Sequence, residues 1–333
     1  MTSSVQFASS SDRTIRRRLK ISRWFSWLCR ISVYLSLGVL LTLLAVVSWM
    51  AVGWLDLGFI RSASSAFPEK AGILAGIWGT FWLICLTTMF SIPIGIGAAV
   101  YLEEYARDTF LTRIIKVNLS NLAGVPSIVY GMLGLTVFVR MFGLLGKGAT
   151  VKLLGGLMVI PLPFGKTVIA GALTMTLLIL PVVIISAQES LRAVPRSIRV
   201  ASYALGASRW QTIWNQVLPA ALPGIVTGAI LSISRAIGET APLIMVGAIS
   251  MHRFCPAGID SPVKLVTQPQ RILSAPFDVY TTIPITIYSW IKEPAAEFKS
   301  VAAAGIVVLI VVLTCFNGVA VLIRQRARDK IKW

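Results

Sequence analysis

The chain has 333 residues, of which 56% are hydrophobic and only 13% are charged, and its mean hydropathy is +0.79. About a quarter of the residues in a soluble domain are charged, so this composition excludes a soluble enzyme, a disordered chain and a secreted disulfide scaffold. The charges are also unbalanced, because 31 Lys and Arg against 13 Asp and Glu give a net charge of +18. In a chain this apolar, a basic excess indicates membrane topology rather than nucleic-acid binding. The composition therefore predicts an all-α, polytopic membrane protein.

Six apolar stretches are long enough to cross a hydrocarbon core, which requires about 20 residues. They cover residues 31–54, 72–102, 119–139, 168–187, 221–249 and 301–323. A further apolar stretch, 153–163, is too short to span and is predicted to be an interfacial or re-entrant segment on the outer side. The predicted organisation is a basic tail (1–30), a first transmembrane helix (31–54), a core of five transmembrane helices (70–325) and a basic C-terminus (326–333).

The basic residues predict the orientation of these spans. An even number of spans places both termini on the same side of the membrane. The two tails and the loops on that side carry nineteen of the 31 basic residues, and the opposite loops carry fewer over a greater length. Because basic residues concentrate in cytoplasmic segments, both termini are predicted to be cytoplasmic. The polybasic N-terminus is also expected to contact anionic membrane lipid.

Metal and nucleotide sites are not expected in this chain. The four cysteines and the single histidine, His252, have no metal-ligand spacing. Gly165, Lys166 and Thr167 resemble the end of a phosphate-binding loop, but the glycine needed five residues earlier is replaced by Ile160. No cofactor is therefore predicted for this chain, and any ATP that drives it must bind another subunit.

A polar loop between the fourth and fifth spans, 189–219, is too long for a turn and too polar to be inserted in the membrane. Ala201, Ala204 and Leu205 form an apolar stripe at helical spacing, and Gly206 then breaks the helix. A second short helix is predicted from Ala207, ending before Leu218. Two short helices joined at a glycine are expected to form a structure that protrudes from the membrane. Periodicity alone equally allows a helix lying on the lipid surface.

This loop resembles the coupling loop of ABC importer permeases, in which a small residue, a glycine and a Leu-Pro pair recur at fixed spacing. Ala201, Gly206, Leu218 and Pro219 match that pattern, whereas Val200 and Gln216 stand where the family has glutamate and isoleucine. The resemblance implies that the loop docks on a cytoplasmic ATPase. The residues expected to contribute are Ala201, Gly206, Ala207, Trp210, Leu218 and Pro219.

Two ionisable residues lie inside the predicted fifth span. An ionisable group at the centre of a span costs about 2.5–3.5 kcal/mol on insertion scales, so it is functional by default. Arg235 and Glu239 are four residues apart, which predicts one shared helix face and partial neutralisation. Because Pro242 lacks an N–H, the helix is expected to be loosened next to this pair. An arginine fork matches a tetrahedral oxyanion, with weaker contributions expected from Ser232 and Thr240. The structural alternative is an internal ion pair that locks helices together.

Several segments together resemble the permeases of the bacterial phosphate ABC importer, the Pst system. They are Ser-Arg-Ala-Ile-Gly-Glu-Thr-Ala-Pro-Leu at 234–243, Tyr-Leu-Glu-Glu-Tyr at 101–105 and Asn-Leu-Ala-Gly-Val-Pro-Ser-Ile-Val-Tyr-Gly at 121–131. The segment 281–290 and the alanine-rich last span are similar to the A-type subunit. The resemblance implies the type I ABC importer permease fold in a bacterial inner membrane. It also implies a C-type permease partner, a cytoplasmic ATPase dimer that binds ATP, and an external phosphate-binding protein.

Other classes of function stay open at this point. An ion-coupled anion transporter or channel would use Arg235 and Glu239 as a proton relay, and a permease for another oxyanion would use the same residues. A membrane-embedded enzyme lacks a cluster of His, Cys or Asp in this sequence, and a purely structural subunit leaves Arg235 unexplained. The sequence therefore favours a non-enzymatic permease that forms half of a phosphate pathway.

Overall fold

The computed structural model describes residues 3–141, 149–153, 158–162, 164–248 and 255–329, which are mainly helical. The helices are α1 (Ser3–Ala51), α2 (Leu57–Arg61), α3 (Leu74–Val100), α4 (Phe110–Ala123), α5 (Ser127–Gly134), α6 (Val168–Arg192), α7 (Arg196–Ala204), α8 (Arg209–Thr212), α9 (Leu218–Gly238), α10 (Ala241–Val246), α11 (Pro262–Thr267), α12 (Pro269–Ile272), α13 (Ile283–Lys292) and α14 (Glu297–Asp329). Five-residue π-helical turns follow α3, α5 and α8, at Tyr101–Tyr105, Leu135–Val139 and Ile213–Val217.

Five helical segments are long and apolar enough to cross a membrane, and the bent pair α4 and α5 raises the number to six if it forms one span. The five include α1, α3, α6, α9 and α14, which coincide with five of the predicted apolar stretches. The first of them is part of one helix that runs from Ser3 to Ala51. The predicted division between a tail (1–30) and a first span (31–54) therefore has no break in the backbone.

The predicted third span, 119–139, is not a single helix. It begins in the last residues of α4, breaks at Gly124 to Pro126, and continues in α5 at an angle of 103° to α4. Pro126 has no N–H to donate, and its ring disfavours helical geometry at Val125. Apolar composition alone did not reveal this bend.

The predicted fifth span, 221–249, is also interrupted. The helix α9 ends at Gly238, Glu239 has extended backbone angles (φ −80°, ψ 128°), and α10 begins at Ala241. Pro242 lacks the N–H that a continuous helix would donate to the carbonyl of Gly238, so the break lies next to it. The prediction that Arg235 and Glu239 share one helix face is therefore wrong. Ile249, the predicted end of this span, lies outside the described residues.

The prediction of an all-α chain also requires correction. Strands β1 (Ala149–Leu153) and β2 (Met158–Leu162) pair antiparallel, with Val151 opposite Ile160. Four of these ten residues are Val, Ile or Thr, and such β-branched side chains favour strands. The stretch 153–163, predicted as interfacial or re-entrant, therefore contains β2. Residues 154–157 and Pro163 of that stretch lie outside the described residues.

The helix predicted from Ala207 does not end before Leu218. It begins at Arg209 and continues through the π-turn Ile213–Val217 into α9. Pro219 stands in the first turn of α9, after the N–H of Leu218 has bonded to Ile213 across the wider π-turn. In the first turn of a helix a missing N–H is tolerated. The loop and the fifth span are thus connected without a joint at Leu218 and Pro219.

The helix α6 lies at the centre of the bundle, with α3 on one side and α9 on another. Its contact with α9 is close and depends on glycine, since a Cβ atom added at Gly228 would lie only 2.2 Å from the Ser186 hydroxyl oxygen. At Gly224 the corresponding distance to the Ser190 hydroxyl oxygen is 2.6 Å. Small residues that let backbones approach are typical of membrane helix interfaces. This contact positions the Arg235 end of α9 against α6.

Candidate functional site

Arg235 lies at a cavity of about 220 Å³ between α5, α6 and α9. The wall is mainly apolar, and the hydroxyl-bearing side chains are Tyr130 and Ser232. The lining residues are Ala123, Val125, Tyr130, Leu178, Ile179, Val182, Leu231, Ser232 and Arg235. The break between α4 and α5 contributes Ala123 and Val125, so the irregular backbone of the third span forms one side of the cavity. Irregular backbone at membrane depth is tolerated where it lines a cavity.

The Arg235 guanidinium has no hydrogen-bond or ion-pair partner among the described residues. Its side chain is exposed, whereas the neighbouring Ala236 and Ile237 are buried against the bundle. Arginine carries five N–H donors in a fixed planar fork and stays charged. An unpaired guanidinium in a spanning helix is therefore available to an anionic ligand.

The two hydroxyl groups that line the cavity already donate hydrogen bonds to backbone carbonyl oxygens. Ser232 donates to the carbonyl oxygen of Gly228 at 2.9 Å, and Tyr130 donates to the carbonyl oxygen of Leu122 at 2.9 Å. Each hydroxyl oxygen can still accept a hydrogen bond, but neither is a free donor. Among the side chains known to line this cavity, Arg235 thus supplies the free donors to an oxyanion.

Glu239 and Thr240 occupy the link between α9 and α10 rather than the cavity lining. No ion pair joins Glu239 to Arg235, although both residues lie in the described part of the chain. The structure therefore brings Ser232 and Arg235 together at the cavity and leaves the other two predicted pathway residues beside it.

Tyr130 was not singled out by sequence reasoning. Its hydroxyl bonds back across the break to Leu122, eight residues earlier, so it holds α5 against the end of α4. A tyrosine four residues after a Gly-Val-Pro break was the available signal, but only the packing of α5 on α6 revealed that it lines the cavity.

Residues 196–214, which comprise α7, α8 and the start of the π-turn that follows, form a second candidate site that we call the knob. Gly206 joins α7 to α8 with φ +82°, a left-handed conformation that favours glycine. The Ser208 hydroxyl and the Gln211 side chain cap α8 reciprocally, and the Ser202 and Thr212 hydroxyls lie 2.9 Å apart across the two helices. The predicted pair of helices at a glycine is confirmed.

The predicted coupling residues divide between the knob and the root of α9. Ala201, Gly206 and Trp210 are exposed on the knob, and Ala207 is half-buried. Leu218 and Pro219 lie in the first turn of α9, and Leu218 packs on the core beside Val217.

The outer surface of the knob is unusually apolar. Leu205 is 90% exposed, and the exposed rings of Trp210 and Trp214 stack with centroids 5.4 Å apart. Exposed apolar groups concentrated at one tip are typical of a protein or membrane contact.

Comparisons with known proteins show the family to which the chain belongs. The family model described as binding-protein-dependent transport system inner membrane component matches residues 91–329. The chain is 31% identical to the phosphate transport system permease protein PstA 1 of Mycobacterium tuberculosis, over 93% of this chain and 90% of that one. It is 28% identical to the PstA protein of Yersinia pestis, over 92% of this chain and 94% of that one.

Two further similarities concern a relative with a broader name and a solved structure. The probable ABC transporter permease protein YqgI of Bacillus subtilis is 31% identical, over 84% of this chain and 87% of that one. The inward-facing MetNI methionine ABC transporter shares the fold, with a TM-score of 0.50 at 16% identity over 77% of this chain and 95% of that one. The chain is thus a multi-pass membrane protein that belongs to the family of inner membrane permease components of binding-protein-dependent ABC transport systems, among its PstA-like members.

Proposed function

We propose that the chain is the A-type permease subunit of an ATP-driven phosphate importer and forms half of the phosphate pathway. The observation that carries the proposal is the unpaired Arg235 guanidinium at a cavity between three helices. The names of the relatives from Mycobacterium tuberculosis and Yersinia pestis support phosphate as the substrate.

The chemistry of the cavity suits a tetrahedral oxyanion. A guanidinium forms two parallel hydrogen bonds with a phosphate, and the mainly apolar wall strengthens each bond by excluding water. The volume of about 220 Å³ exceeds by more than tenfold the roughly 10–15 Å³ that one water needs. A partly hydrated phosphate therefore fits.

One arginine does not satisfy four phosphate oxygens, which supports a pathway shared with a second, C-type permease. Glu239 and Thr240 have no side-chain hydrogen-bond partner among the described residues, so both are available when two permeases meet around the anion. In this proposal Arg235 binds the anion, Glu239 adjusts the local charge, and Thr240 and Ser232 contribute weaker hydrogen bonds.

The knob is proposed to dock on a cytoplasmic ATPase dimer, which binds the ATP. Its exposed Leu205, Trp210 and Trp214 supply the apolar contact, and an external phosphate-binding protein delivers the substrate. Both termini and the knob lie on the cytoplasmic side in this arrangement, in agreement with the distribution of basic residues. ATP-driven closure of the dimer then switches the permeases between inward and outward states.

The test is ATP-dependent uptake of radiolabelled phosphate by the reconstituted complex of both permeases, the ATPase and the binding protein. Arg235→Ala should abolish uptake while the complex still assembles. Arg61→Ala is the matched control, because Arg61 is an exposed arginine outside the spanning helices. Uptake that survives Arg235→Ala would remove this residue from the pathway.

The same preparation separates the remaining classes of function. Uptake driven by a proton gradient without ATP would instead identify an ion-coupled transporter. Transport of sulfate in preference to phosphate would identify a permease for another oxyanion.

A further inference from the structure

The π-turn Tyr101–Tyr105 carries two adjacent carboxylates whose partners lie on different elements. Glu103 pairs with Arg192 of α6 at 2.9 Å and with Lys116 of α4 at 3.6 Å. Glu104 pairs with Arg199 of α7 at 2.6 Å. One carboxylate thus connects helices of the membrane bundle, and its neighbour connects the bundle to the knob.

Glu104 is buried and Arg199 is half-buried, with side-chain exposures of 8% and 17%. The Arg199 Nε and Nη2 atoms both donate to the Glu104 carboxylate. The same guanidinium donates from Nη1 to the carbonyl oxygen of Val194 at 2.8 Å and from Nη2 to that of Leu191 at 3.0 Å. Arg199 therefore holds α7 to the end of α3 and, at the same time, to the end of α6.

A second contact joins the other half of the knob to the same π-turn. The Arg209 guanidinium of α8 lies 5.4 Å from the centre of the Tyr105 ring. The Leu205 and Trp210 side chains, in contrast, point to solvent and are free for docking. The knob thus has an apolar outer surface and a charged inner surface fixed to the bundle.

We propose that Glu104 and Arg199 form the rigid connection that transmits movement of the knob to α3 and α6. The proposal rests on the proposed function, in which the knob docks on the ATPase. Movement passes between sites through packed elements and hydrogen-bonded networks, and a bidentate buried pair resists sliding better than an apolar contact. Glu104 and Arg199 are positioning residues, because neither touches the substrate or the ATPase in this arrangement.

The experiment measures phosphate imported per ATP hydrolysed by the reconstituted complex, together with retention of the ATPase on purification. In Glu104→Gln the complex should keep its ATPase and continue to hydrolyse ATP, and imported phosphate per ATP should fall about tenfold, within the usual range of coupling between sites. Glu103→Gln is the matched variant, because its partners lie on α6 and α4 rather than on the knob, and it should keep the wild-type ratio. A merely structural role would lower the amount of complex without changing this ratio.

Two further variants keep the proposal testable. If the two residues act as one unit, Glu104→Gln combined with Arg199→Gln should be no worse than the poorer single variant. If Glu104→Gln does not fold, Arg199→Lys decides, since lysine keeps the charge but loses the planar fork; a reduced ratio supports the connection and a wild-type ratio overturns it.

Three outcomes overturn the connection: an unchanged ratio in Glu104→Gln, equal losses in Glu103→Gln and Glu104→Gln, and loss of the ATPase from a folded variant. Failure of the wild-type complex to import phosphate would instead overturn the proposed function.

Discussion

Arg235 and Arg199 have opposite environments, because the first guanidinium is unpaired among the described residues and the second has a full set of partners. The cavity keeps a charged group unpaired within mainly apolar walls, whereas the knob buries its charged group in a network and exposes its apolar residues. An unpaired charge inside a membrane is costly, and it is retained where a ligand of opposite charge can pair with it. A buried charge with a full set of partners fixes geometry instead. The contrast separates a group suited to binding from a group suited to force transmission.

The largest effect is expected from a change that destroys the proposed docking surface of the knob. Gly206→Trp places a bulky side chain at a position with φ +82° on the exposed turn, and the ATPase should no longer co-purify with the permease. The matched control is Gly53→Trp, because Gly53 also has a positive φ of +92° and open space around it. Both variants carry comparable backbone strain, so co-purification in Gly206→Trp would show that the ATPase docks elsewhere.

The next effect tests whether the cavity requires the arginine fork or only a positive charge. Arg235→Lys keeps the charge but loses bidentate geometry. The loss of one charge-assisted hydrogen bond, about 1.5–3 kcal/mol, corresponds to a reduction of roughly 10- to 150-fold in uptake per unit of substrate. Full uptake by the lysine variant would show that the site requires only a positive charge and not the arginine fork.

A smaller effect is expected at the contact that joins α6 to α9. Gly228→Ala should lower the free energy of unfolding by about 1–2 kcal/mol, because the new Cβ atom would lie 2.2 Å from the Ser186 hydroxyl oxygen. The measurement is thermal unfolding of the purified permease in detergent.

Gly97→Ala is the control for this contact, since nothing lies within 4 Å of a Cβ atom at Gly97 and alanine favours the helix. It should leave stability unchanged or raise it. Equal stability of the two variants would mean that the close approach of α6 and α9 does not contribute.

The smallest effect is expected where a polar pair crosses from α9 to α14 beside Arg235. The Ser234 hydroxyl donates to the side-chain oxygen of Asn317 and also contacts the carbonyl oxygen of Ile230. A double-mutant cycle of Ser234→Ala and Asn317→Ala should give a coupling of about 0.6 kcal/mol, the average for such pairs in membranes. Thr314→Ala is the control, because its hydroxyl bonds only within its own helix. A coupling of zero would exclude this pair from positioning Arg235.

Sequence reasoning was accurate where local composition decides the structure. Apolar length located five spanning helices, and the glycine at 206 located the turn of the knob. It missed the break at Pro126, and although it predicted a loosened helix beside Pro242, it still placed Arg235 and Glu239 on one helix face. Arg235 and Ser232 were predicted from the sequence and line the cavity, but Tyr130 was missed because its position depends on how α5 packs on α6.

The amino-acid sequence by itself determined the membrane class, most of the spans and the presence of an arginine inside the predicted fifth apolar stretch. These properties follow from hydrophobicity and charge summed over neighbouring residues, because each segment inserts into the bilayer according to its own composition. Only the tertiary structure decided the partner of each charge. Glu104 and Arg199 are 95 residues apart in the chain, and whether a charge is paired or free depends on which helix ends meet. The fold therefore decided that Arg199 is paired and that Arg235 stays available to a ligand.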